Sequence, residues 1–317
     1  MHGDAKLAEK LVQRLGSRHP VAAVATVSSE GTTVASVGTP LDADFEIGSI
    51  SKGVTGLLYA DALERGEITT STTLGDLLPL AGSPAADVTL SSLSTHRSGL
   101  PSLPGPFLRK SLALWLHGTN PYGETLDELL TQTRTVRPGP PRPKYSNLGF
   151  QLLGHALAAA AGTTFTTLLD TRIATPLGLT TWYAPATASD LRPGALTGRT
   201  RWGRPRRPWT GEALAPAGGI RTTITDLARL AHALLDGTAP GVDALNPVAD
   251  FTGKVVRIGA AWITLDRLGR TITWHNGGTG GFRTWLGMDR AAGAAVVLLS
   301  ATAASVDQPG FALLADL

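Results

Sequence analysis

Strand-forming sequence is confined to the two ends of this chain. Val21–Val27 and Thr32–Val37 are short β-branched runs split by Glu30-Gly31, which reads as a hairpin. Val255–Leu265, Thr271–His275, Phe282–Met288 and Ala294–Ser300 read as four more strands with short turns. From about residue 70 to 215 no stretch shows convincing strand alternation. A sheet therefore has to be assembled from both ends of the chain, with the middle inserted between its strands. The expectation is an α/β fold: an antiparallel sheet flanked by helices, built from residues 1–70 and 216–317, with 71–215 as an inserted helical domain.

Helical periodicity fills the rest. Leu7, Leu11 and Leu15 recur at four-residue spacing within Asp4–Leu15. Ser49–Arg65 places Val54, Leu57, Leu58, Ala62 and Leu63 on one face, and Gly66 supplies a stop. Leu126–Arg134, Leu148–Ala161, Phe165–Ile173 and Thr225–Leu235 follow. The proline-rich segment Arg137–Lys144 is excluded from regular helix and from a central strand.

Composition removes several function classes. An apolar content of 42% suffices for a sizeable core. With no cysteine there is no disulfide framework, no thiolate nucleophile and no cysteine-based zinc or iron–sulfur site. None of the seven histidines falls in a metal-binding pattern, so no metal and no cofactor is expected. Basic residues exceed acidic ones by 28 − 25 = 3, too few to predict a nucleic-acid partner. No apolar run approaches the ~20 residues of a membrane span, and the first twenty residues carry no signal-peptide core. The expectation is a cytoplasmic protein with no membrane partner, unless a leader precedes this sequence.

Three local patterns carry chemistry. Ser49 and Lys52 stand three apart at a helix start, where both side chains face the same way. Helix N–H groups there favour developing negative charge, and a desolvated lysine can serve as a base. Taken alone, the spacing also suits a surface lysine on a first helical turn. Tyr145 and Asn147, two apart in a segment read as extended, would direct a phenol and an amide to one side. The run Trp274-His-Asn-Gly-Gly-Thr-Gly-Gly-Phe282 ends a strand in small residues that let a ligand approach the backbone. Its glycine spacing does not match a dinucleotide-binding loop, and a plain hairpin turn would use the same residues.

The order Ser-x-x-Lys, Tyr-x-Asn, His-x-Gly resembles the serine β-lactamase and penicillin-binding-protein superfamily. It looks most like the branch of class C β-lactamases, DD-peptidases, D-aminopeptidases and β-lactamase-like (family VIII) esterases. Phe45–Lys52, Leu93–Leu100, Tyr145–Gly149, Pro216–Ile220 with Thr225–Ala228, and His275–Gly281 carry the likeness across most of the chain. The resemblance implies an active site between the two domains. Ser49 would be the acylated nucleophile, with Lys52 and Tyr145 sharing general-base work. Asn147 would orient Lys52 and the substrate carbonyl, and His275 would support Tyr145. The N–H groups of Ser49 and Gly278, with Gly277 beside them, would bind the oxyanion.

One departure is informative. His275-Asn276 replaces the lysine and hydroxyl residue that clamp a substrate carboxylate in β-lactamases of this superfamily. The expected activity is therefore hydrolysis of a small ester, amide or short peptide through an acyl-Ser49 intermediate, most simply as a carboxylesterase. Acyl transfer or peptide-amide processing is a second reading, and a non-catalytic binding module a third. Oligomeric state is left open. The stretch Arg199–Trp209 packs five arginines and two tryptophans into eleven residues with no acid. Arg201, Arg204, Arg206 and Arg207, together with Arg283, are candidate anion-binding residues, and a solvated loop is the alternative. His96 reads as a structural hydrogen-bonder and Asp226 as a first-turn helix acid.

Overall fold

Both ends of the chain enter one sheet in the computed structural model, which describes residues 1–103, 120–253, 255–267 and 269–317. His117 and part of the expected inserted domain lie outside the described residues. In chain order the strands are β1 (His2–Gly3), β2 (Ala22–Ser28), β3 (Gly31–Val37), β4 (Phe45–Glu46), β5 (Arg199–Thr200), β6 (Arg221–Thr222), β7 (Ala249–Thr252), β8 (Val256–Ile258), β9 (Ile263–Arg267), β10 (Arg270–Gly278), β11 (Arg283–Asp289), β12 (Ala294–Ser300) and β13 (Thr302–Ala303). The α-helices are α1 (Ala5–Leu15), α2 (Ile50–Glu64), α3 (Leu74–Leu77), α4 (Leu90–Ser94), α5 (Leu126–Thr133), α6 (Asn147–Ala160), α7 (Phe165–Leu169), α8 (Ile224–Asp236) and α9 (Asp307–Ala315). Nine strands pair in the order β1-β3-β2-β12-β11-β10-β9-β8-β7, and every neighbour is antiparallel.

The central strand explains the layering. Every residue of β12 is buried, because the sheet is covered on both faces. Ala295, Val297 and Leu299 pack into the cluster that holds α2, α6 and α8. Val296 and Leu298 point the other way, onto Leu7, Leu11 and Leu15 of α1 and Leu313 and Leu314 of α9. Asp4 caps α1 by accepting from the Leu7 N–H at 2.7 Å.

Three local features differ from the sequence reading. The run Val255–Leu265 is two strands, β8 and β9, because the backbone turns over between Gly259 and Trp262, with Ala261 at φ 70°. That turn tucks Trp262 beneath α2, where its indole donates to the Gly53 carbonyl at 3.1 Å. The C-terminal α9 was hidden by Pro309-Gly310, yet Pro309 occupies the first turn, where a missing N–H costs nothing. Helix α2 is buried on nearly every side rather than on one face. Two glycines permit this. A Cβ on Gly53 would meet the Trp262 ring at 2.8 Å, and one on Gly56 would meet the Ala260 carbonyl oxygen at 2.1 Å.

Among the described residues no single helix is long and apolar enough to cross a membrane. Only the bent pair 147–160 and 165–174 passes by length and composition.

Candidate active site

Ser49 caps α2, and its side chain makes no capping bond, so Oγ is free for chemistry. It is delivered there by a tight approach of two backbones. Gly48 has φ 54°, a left-handed conformation that favours glycine, and a Cβ on it would sit 2.5 Å from the Gly278 nitrogen. A Cβ on Gly277 would lie 1.9 Å from the Ile47 carbonyl oxygen. Thr284 donates to that same carbonyl at 2.8 Å. The end of β10 is thus pressed against residues 47–49, and the N–H groups of Gly278 and Ser49 are brought to the same place.

Lys52 lies one helical turn on, fully buried, with Nζ 3.1 Å from Ser49 Oγ. It also donates to the Ala217 carbonyl at 2.5 Å and has no ion-pair partner among the described residues. Burial alone drives its pKa well below the usual lysine range. The Tyr145 hydroxyl hydrogen-bonds with Ser49, while the Lys52 nitrogen stands 4.9 Å from the centre of the Tyr145 ring. Tyr145 as a whole residue is 37% exposed. Desolvation around the hydroxyl raises its pKa, so the phenol is protonated at neutral pH.

Tyr145 is held from outside the motif. The Ser146 N–H donates to His96 Nδ1 at 3.2 Å, and the Lys144 N–H donates to the His96 carbonyl at 2.9 Å. The His96 ring packs against Tyr145 at 4.5 Å between centroids. His96 therefore grips both neighbours of Tyr145, and it adopts φ 56° to do so. Burial, with Lys52 and His275 close enough to disfavour a further positive charge, lowers its pKa well below the usual histidine range.

The remaining candidates sort by position. Asn147 is the first residue of α6 rather than part of an extended segment. Its amide donates to the Tyr122 hydroxyl at 2.5 Å and reaches Ser102 Oγ at 3.5 Å, not Lys52. His275 faces inward from β10, T-stacked on Trp262 at 6.5 Å, with Nδ1 2.6 Å from the Asn276 carbonyl. Burial, then the charge of Lys52, pushes its pKa down to about 4. Its Nε2 has no hydrogen-bond partner among the described residues. The Asn276 side chain is committed to Asp307, donating to both carboxylate oxygens at 3.1 Å.

Ser49 opens into a cleft of about 540 Å³ lined by residues 276–280, Arg283, Arg206, Trp209, Ser305 and Asp307. Of the five candidate arginines, Arg206 and Arg283 reach this cleft. Arg201 lines a neighbouring hollow, and Arg204 and Arg207 are exposed outside both. At the loop tip Thr200 Oγ1 accepts from the Trp202 and Arg204 N–H groups, closing the turn that carries Arg201 and Arg204.

A buried ion network escaped the sequence reading. Arg221, with no exposed surface, donates to Asp44 at 2.8 and 3.1 Å and to Glu46 at 3.0 Å. Glu46 also accepts from the Trp209 N–H at 2.9 Å and hydrogen-bonds with Thr279. It thereby ties the segment before Ser49 to the cleft wall and to the turn after β10. Burial raises the pKa of Glu46 despite Arg221. Two acids flanking Phe45 were visible in the sequence, but nothing there marked which arginine would meet them.

The β-lactamase family profile matches residues 7–316. The chain belongs to the β-lactamase family. Membership makes it a serine hydrolase of the kind that includes β-lactamases and DD-carboxypeptidases. D-alanyl-D-alanine-carboxypeptidase/endopeptidase AmpH of Escherichia coli K12 is 28% identical over 275 residues, 78% of this chain and 68% of AmpH. A β-lactamase of Pseudomonas fluorescens is 31% identical over 186 residues, 58% of this chain and 48% of that enzyme. This chain is similar in fold to a solved class C β-lactamase, with a TM-score of 0.83 at 18% identity, covering 100% of this chain and 99% of the other.

Proposed function

We propose that this hydrolase works through an acyl-Ser49 intermediate and that its simplest substrates are carboxylic esters. The observation that carries the reading is the buried Lys52 amine 3.1 Å from Ser49 Oγ, with no carboxylate among the described residues to keep it charged. Once neutral, that amine has a lone pair for the Ser49 proton as Oγ attacks the carbonyl. Tyr145, protonated and hydrogen-bonded with Ser49, is suited to pass a proton to the leaving oxygen and to take one from the deacylating water. The N–H groups of Ser49 and Gly278 would receive the oxyanion. Asn147, which bonds to Tyr122 and Ser102, would serve the substrate carbonyl rather than Lys52.

The ester preference rests on what stands at the third motif. His275 is neutral above about pH 4, and Asn276 is occupied by Asp307, so neither offers the cation and hydroxyl that grip a substrate carboxylate. Arg206 and Arg283 in the same cleft favour a second reading, hydrolysis of a short peptide amide with an acidic end, in line with the carboxypeptidase activity named for AmpH. Intact-protein mass spectrometry after incubation with p-nitrophenyl esters, a penicillin and a D-Ala-D-Ala peptide separates these. Rapid ester turnover through Ser49 with no penicillin adduct supports the first reading. A persistent penicillin adduct on Ser49 supports the second, and no modification by any of them refutes both.

A further inference from the structure

The loop 199–209 is anchored, not free. The Arg199 N–H donates to the carbonyls of Gly281 and Ala301 at 3.1 and 3.0 Å, the Arg206 N–H donates to Gly198 at 2.8 Å, and Trp209 is held by Glu46. Strand β5 runs parallel to β13, which lays residues 201–202 beside 303–305. A second hollow of about 450 Å³ results, lined by Arg18, Arg201, Trp202 and residues 303–305. Ser305 lines both this hollow and the Ser49 cleft, so the two adjoin.

The charge along that path is uncompensated. Arg18, Arg201 and Arg206 have no carboxylate partner among the described residues, so their guanidinium donors are open to a ligand. Among the described residues Asp307 is the one acid lining either hollow, and it is engaged by Asn276. Arg201 is pre-stacked on Trp202, its guanidinium 4.1 Å from the ring centre, which fixes the plane of its donors. Trp202 nonetheless leaves 73% of its surface to solvent, an unusual exposure for a tryptophan on an anchored loop.

We infer that this hollow is a distal subsite for an anionic group, a carboxylate or a phosphate, borne on a flat or ring-shaped part of the substrate away from the reacting carbonyl. The ring would lie on Trp202 and the anion would meet the guanidinium forks of Arg201 and Arg18. The inference rests on the reading of Ser49 as the reacting centre, and its test separates the two.

Binding is measured by calorimetry on the whole chain with 2-naphthoate, 2-naphthyl phosphate and neutral 2-naphthalenemethanol, at low and at physiological salt. The expected result is at least fivefold tighter binding of one or both anions, weakening with salt and lost in Arg201→Ala and in Trp202→Ala. Which anion binds better identifies the group. Equal binding of all three probes, or anion binding unchanged in both variants, overturns the inference. In a second arm, kcat/KM is compared for esters of equal length ending in a neutral or an anionic ring, with the ring on the acyl side in one set and the alcohol side in another. The anionic-to-neutral ratio should exceed five in one set and collapse toward one in Arg201→Ala. A ratio near one in both sets also overturns it. Failure of every ester to acylate Ser49 counts against the reading of the reacting centre, and the binding arm then decides the subsite by itself.

Discussion

Gly277→Ala is the sharpest single perturbation of the site. The added methyl would lie 1.9 Å from the Ile47 carbonyl oxygen and 2.2 Å from Thr284 Oγ1. A carbon and a carbonyl oxygen approach no closer than about 3.3 Å, so the end of β10 has to retreat by roughly 1.4 Å. The oxygen it meets is backbone, two residues before the nucleophile, and cannot rotate away. Retreat carries the Gly278 N–H with it, out of reach of an oxygen bound near Ser49. Losing one oxyanion donor costs about 10²–10³ in rate, and a displacement of about 1 Å costs on the order of 10². We expect kcat/KM on a p-nitrophenyl ester to fall about 10²-fold. Overpacking should cost about 1–3 kcal/mol of stability, leaving the protein folded at the assay temperature. The clash at the neighbouring Gly278 is milder, since the nearest atom to a Cβ there is the Arg283 guanidinium at 3.0 Å, on a side chain that can move. Gly277→Ala with parental activity and an unchanged Tm would refute the claim that this close approach sets the oxyanion site.

Four further outcomes are expected. Ser49→Ala should lose about 10³-fold or more in turnover, with Lys52→Ala and Tyr145→Phe costing comparably and their combination far from additive; steady-state kinetics of the single and double variants checks this. Because Lys52 acts as the neutral amine and its pKa is depressed, kcat/KM should rise with pH through a midpoint well below the ordinary lysine value, and a pH–rate profile of the parent locates it. His275 titrates at about 4 when folded against about 6.5 unfolded, so as pH falls through that window the unfolded chain takes up a proton that the native state refuses. The loss reaches about 3 kcal/mol from His275, and His19, His96 and His155 act in the same direction; Tm measured between pH 7 and 4 should fall monotonically. Arg221→Met strands two buried carboxylates and should cost about 3–5 kcal/mol, whereas adding Asp44→Asn and Glu46→Gln should restore part of it, as read by denaturant unfolding.

What could be read from the sequence divides along physical lines. The hairpin β2–β3, the helices α1 and α2 and the strands β10 to β12 were legible because a repeating hydrophobic pattern and a turn signal coincide in each. The grouping of Ser49, Lys52 and Tyr145 was legible because their spacings are rare in this chain and occur in a familiar order. Arrangements that depend on long-range closure were not. Asn147 could not be paired with Tyr122 from sequence, since the two lie 25 residues apart on either side of the proline-rich loop. His96 was readable as a hydrogen-bonder, but its hold on both neighbours of Tyr145 needs the loop folded back across 50 residues. The Arg221 network illustrates the general reason. Asp44 and Glu46 are near Ser49 in the chain, Arg221 is 175 residues beyond Glu46, and Trp209 lies on a third segment. Each residue alone looks like ordinary surface charge. Only in the closed fold do they become a buried node, and that node fixes the distance between the nucleophile and the wall of its cleft.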